Sequence, residues 1–162
     1  MIDLEFVLLD GSVMSILIGA LVAATFWSTP RTYLRDMPPD IQEAAAPITE
    51  REARSAGIVG LIVVSILLAG LVISALRRTG GEGYLDAALH CYLVFQVFNL
   101  FDLVVLDWGM MMFIDPARPP IPGTENARGY RAFGFHARKS LNGAILGIPF
   151  AAAAAGLAVA IG

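Results

Sequence analysis

Long apolar stretches alternate along this chain with polar segments marked by prolines. Residues 6–27, 57–76 and 141–162 are nearly free of charge, and each reaches the roughly 20 helical residues needed to cross a hydrocarbon core. The stretch 85–114 is longer. As an α-helix rising 1.5 Å per residue it would measure about 45 Å, so it must tilt, bend near Gly109 or project beyond the membrane. This pattern predicts an all-α fold: a polytopic membrane protein built as a four-transmembrane-helix bundle. It forms one integral membrane domain over 1–162, with long connections at 28–56 and 115–140.

Composition agrees with that pattern. At 57% hydrophobic and 15% charged residues, with a mean hydropathy of +0.69, the chain departs from the profile of soluble domains. Asp3 and Glu5 stand where a signal peptide carries basic residues, so the first stretch is expected to stay as a membrane helix. Arg31, Arg35, Arg51, Arg54, Arg118, Arg128, Arg131, Arg138 and Lys139 fall in the two long connections, against Arg77 and Arg78 in the short one. The positive-inside bias therefore predicts cytoplasmic long connections and both termini outside.

The third stretch carries the candidate chemistry. Gln96, Asn99, Asp102 and Asp107 lie within it, although an ionisable group at bilayer depth costs roughly 2.5–3.5 kcal/mol and tends to face a protein interior or a wet cavity. Projected at 100° per residue, these positions and Tyr92 fall on an arc of about 140°. Asp102 and Asp107 are candidates for acid/base work, and His136 can titrate near neutral pH. Arg31, Arg35, Tyr130 and Arg131 in the connections, with Gln96 and Asn99 in the helix, are candidate ligand-binding residues. The cations among them would grip an anionic headgroup at the cytoplasmic mouth of the polar stripe.

The connections carry their own local signals. Pro38-Pro39-Asp40 with Glu43 predicts a short helix that Pro47 stops. Thr49 and Glu52 form a T-x-x-E capping box, so the second membrane helix is expected to begin near residue 50. Pro122-Gly123 suits a type II turn. The runs PRTYLRDMPPDIQ at 30–42, LDWGMMMFIDP at 106–116 and IPGTENARGYRAFGFHARK at 121–139 resemble those of a group of small four-span bacterial membrane proteins. The resemblance covers most of the chain after the first span. It implies a bacterial inner membrane and brings no catalytic residues with it.

Small residues recur every fourth position at Gly11, Ser15, Gly19 and Ala23, and again at Gly143, Gly147 and Ala151. Such rows predict close packing of the first span on the fourth, with Pro149 loosening the latter. No cofactor or metal is expected. Cys91 is the single cysteine, His90 and His136 belong on opposite sides of the bilayer, and Gly80, Gly81 and Gly83 lack the lysine and hydroxyl of a phosphate-binding loop. Asp86 and His90, one turn apart, suggest a local hydrogen bond. Nothing points to nucleic acid. The expected partners are membrane lipids and a second copy or a larger membrane complex. The expected role is an accessory or interaction protein. The alternatives are an intramembrane enzyme on a lipidic or isoprenoid-like substrate, using Asp102 and Asp107, and a proton- or cation-coupled transport subunit.

Overall fold

A computed structural model describes residues 2–78 and 83–162, all of whose regular structure is helical. Gly80 and Gly81, in the short connection between the second and third spans, lie outside the described residues. Four helices are long and apolar enough to cross a membrane. The chain is a multi-pass membrane protein with an all-α bundle. The first span is α1, Leu4–Ser28. A 3-10 segment, Pro30–Asp36, and a short helix α2, Pro39–Ala44, lead to the second span, α3, Glu50–Arg78. The third span starts as α4, Tyr84–Phe101, widens into a π-helix over Asp102–Gly109 and finishes as α5, Met110–Phe113. After a 3-10 turn at Arg128–Arg131, α6 runs from Phe133 to Ile161.

Helix boundaries follow local chemistry. The Asp3 carboxylate accepts from the backbone N–H groups of Glu5 and Phe6 and so caps α1. The Thr49–Glu52 box forms in both directions. Glu52 accepts from Thr49 N at 2.8 Å, and the Thr49 hydroxyl accepts from Glu52 N at 3.2 Å. The short helix at 39–44 is where the Pro-Pro-Asp signal puts it. Gly123 has φ of +87°, as the second central position of a type II turn requires. The fourth span departs from expectation at its start. Helix α6 begins at Phe133 rather than near 141, so His136 and Lys139 stand on a helix instead of in a connection.

Each span gives the bundle core one stripe. Val7, Met14 and Ile18 of α1 meet Leu67, Leu71 and Ala75 of α3, Cys91, Val94 and Phe95 of α4, and Ala151, Ala154 and Ala158 of α6. Large apolar side chains such as Ile16, Leu17, Leu61 and Leu146 face outward, as a lipid environment demands. The small-residue rows do allow close approach, but to a different partner. A methyl group added at Gly11 would lie 2.6 Å from Val97 Cβ, and one at Gly147 would lie 2.5 Å from Phe95 Cδ1. Both rows therefore press on the third span. It sits between α1 and α6, which do not pack on each other among the described residues. This corrects the expected pairing of the first and fourth spans.

The two long connections fold together into a cap with its own core. Phe26, Leu34, Met37, Ile41, Met111, Ile114, Ile121 and Tyr130 fill it. The Asp40 carboxylate accepts from the backbone N–H of Gly129 at 2.7 Å and joins the two connections. Arg131 donates to the carbonyl oxygens of Met111 and Ile114 and so caps the end of the third span.

Candidate functional site

A cavity of about 320 Å³ lies where the cap meets the spans. One wall is apolar. Val22 and Phe26 of α1 face Ala56, Val59, Gly60 and Val63, which share one side of α3 by their spacing of three and four. Leu106, Met110 and Met111 of the third span continue this lining. The rest of the lining is polar: Asp102 and Asp107, His136 and Lys139 of α6, and Thr32, Tyr33 and Asp36 of the 3-10 segment. Gly60 is exposed and a side-chain carbon built there meets nothing within 4 Å, so the wall is open at that point.

The π-helix gathers the carboxylates. In an α-helix, positions five apart are rotated by about 140°, whereas hydrogen bonding from residue i to i+5 widens the turn and reduces that offset. Asp102 opens the π segment and Asp107 lies within it, and both line the same cavity. The wide turn ends at Gly109, the position marked as a bend point by its lack of a side chain.

Pairing divides the polar wall into three parts. Asp107 Oδ1 lies 3.1 Å from His136 Nδ1, with the imidazole side chain only 3% exposed. The contact does not amount to a hydrogen bond, and neither ring nitrogen has a hydrogen-bond partner. Catalytic pairs in ligand-free sites are often poorly aligned in this way. Lys139 donates to the Asp36 side chain and backbone carbonyl, both at 3.1 Å, and its ammonium lies 5.9 Å from the Phe135 ring centre. Asp102 has no hydrogen-bond or ion-pair partner among the described residues. Tyr33 shares a hydrogen bond with the Thr25 hydroxyl, and burial raises its pKa, so it stays a neutral phenol in the cavity roof at pH 7.

Several expected ligand-binding residues stand elsewhere. Arg31 pairs with Glu52 at 2.5 Å and donates to the carbonyls of Ala46 and Pro47, and the Glu52 carboxylate raises its pKa further. It fastens the 3-10 segment to the start of α3 and does not line the cavity. Arg35 is exposed and outside the cavity lining. Tyr130 is fully buried, its hydroxyl 2.8 Å from that of Thr124, and Arg131 is spent on the carbonyls of the third span. Gln96 and Asn99 lie deeper in the bundle, where Asn99 donates to the Ser140 carbonyl at 3.1 Å. The expected mouth of arginines and Tyr130 is therefore corrected. The guanidinium groups hold the cap together, and the polar stripe meets Asp36, Lys139 and His136 instead.

Tyr33, Asp36 and Lys139 escaped the sequence reading. Lys139 follows His136 by three residues, a spacing that puts both on one face once α6 is known to start at Phe133. At the other end of the bundle, Ser74 donates to Asp10 at 2.6 Å and stands 2.8 Å from His90 Nε2, while Arg77 pairs with Asp10 at 3.0 Å. The serine proton goes to the carboxylate and not to the ring, so this is not a nucleophile–base arrangement. It ties α1, α3 and α4 together. Among the described residues no group of three or more His, Cys, Asp or Glu side chains is placed to hold a metal ion. No family model matches the chain, and no curated protein or solved structure is significantly similar to it.

Proposed function

We propose that this is a bacterial inner-membrane protein whose cavity admits the polar end of an amphiphilic molecule and performs proton transfer on it. Its long connections lie in the cytoplasm, so the cavity serves the cytoplasmic leaflet. The carrying observation is the Asp107–His136 pair, with the imidazole buried, in the lining of a cavity whose other lining residues are largely hydrocarbon. His136 acts as the general base, Asp107 holds the ring in position, and Asp102 supplies a second carboxylate beside the reacting group.

The basic-residue bias and the resemblance to small four-span bacterial proteins support the location. The shape of the cavity puts an enzyme ahead of an accessory role. Ionisable groups at this depth are costly, and an acid/base site is a use that requires them. The test uses protein reconstituted in nanodiscs and incubated with lipid extract from its host membrane, read by mass spectrometry of the lipids. A lipid species consumed by the wild type and spared by His136→Gln supports the reading. Identical lipid profiles with and without wild-type protein overturn it.

A further inference from the structure

The substrate class can be narrowed from the hydrogen-bonding character of the cavity, an inference that rests on the reading above. An anionic headgroup needs guanidinium or ammonium donors. Arg31 and Arg131 are engaged outside the cavity, and the charge of Lys139, the cation in its lining, is paired with the Asp36 carboxylate. Beside the hydroxyls of Thr32 and Tyr33, the charged groups left without a cationic partner are acceptors. Asp102 brings a carboxylate without a partner among the described residues. Asp107 brings a second, 27% exposed.

The second observation is independent of those carboxylates. His136 is buried to 2% exposure, lines the cavity and has no hydrogen-bond partner for Nε2. With Nδ1 facing the Asp107 carboxylate at 3.1 Å, the neutral ring is favoured with its proton on Nδ1, and Nε2 is then the acceptor. A buried acceptor of this kind is matched by a donor on whatever enters. We infer that the cavity is built for an amphiphile with a hydrogen-bond-donating, cationic head, a primary ammonium on a hydrocarbon chain, with Asp102 as the counter-ion and His136 Nε2 as an acceptor for one ammonium proton. The apolar wall formed by Val22, Val59, Val63 and Leu106 takes the first part of the chain, which leaves toward lipid past Gly60.

The test compares dodecylammonium, dodecanol and dodecyl phosphate at equal mole fraction in nanodiscs carrying the full-length protein, with retained ligand read by native mass spectrometry. Dodecylammonium is expected to be held at least tenfold better than dodecyl phosphate. Asp102→Asn should remove that preference, and Asp86→Asn, the same charge change at an exposed position, should leave it intact. Retention of dodecyl phosphate equal to or above that of dodecylammonium overturns the substrate class. If retention still falls in Gly60→Leu, the cavity nevertheless takes an amphiphile and the functional reading survives. Retention of all three probes unchanged by both Asp102→Asn and Gly60→Leu overturns the inference and that reading together.

Discussion

His136 Nδ1 and Asp107 Oδ1 stand 3.1 Å apart across the contact between α6 and the π-helical part of the third span. The pair depends on two departures from a plain four-helix bundle. One is a wide turn that rotates Asp107 toward the cavity, and the other is an early start for α6 that carries His136 alongside it. Either alone would leave a lone titratable group. Together they make a base with an orienting carboxylate.

The opening at Gly60 gives the first prediction. A side-chain carbon built there meets nothing within 4 Å, and glycine inside a helix costs about 0.5–1 kcal/mol relative to alanine. Gly60→Leu should therefore leave the thermal midpoint unchanged or slightly raised while lowering amphiphile retention more than tenfold. Undiminished retention in a folded Gly60→Leu protein would place the entrance elsewhere.

A second prediction concerns how the spans pack. Gly11→Ala sets a methyl group 2.6 Å from the branched Cβ of Val97, an overpacking that costs about 1–3 kcal/mol. Gly57→Ala meets open space. Thermal melts in detergent should show a clear loss for the first and none for the second. Equal melts would mean that α1 does not lie against the third span as described.

Orientation supplies the third. Cys91 is buried and should stay silent toward a membrane-impermeant maleimide, so introduced cysteines report alone. Glu5→Cys should be labelled in intact cells, and Glu43→Cys only after the membrane is opened, because both positions are exposed on opposite ends of the bundle. The reverse pattern would move the cavity to the outer leaflet.

Hydropathy alone made the four spans legible, since crossing a hydrocarbon core demands some 20 apolar residues whatever the tertiary structure. The Thr49–Glu52 cap, the helix after Pro38 and the turn at Gly123 were legible for a similar reason, being decided within a few residues. The partner of each small-residue row was not. Gly11 and Gly147 declare a face that tolerates close approach, and only the assembled bundle shows that the third span fills both. The π-helix was hidden because a change of hydrogen-bond register leaves no periodic mark in eight residues. Of the candidate site, Asp102, Asp107 and His136 could be named from sequence by chemistry and cost. Asp36, Tyr33 and Lys139 could not, because they lie beyond the hydrophobic stretches, where a polar side chain is unremarkable.

The account turns on Asp107 holding His136 with Nε2 free to accept a proton. The chain has two histidines, so the ring nitrogens of His136 can be followed by nitrogen-15 spectra of histidine-labelled protein, assigned with His90→Gln. In the neutral ring, wild-type protein should show a proton on Nδ1 and a bare Nε2, and Asp107→Asn should lose that single tautomer. A proton on Nε2 of His136 in the wild type would contradict the proposed base.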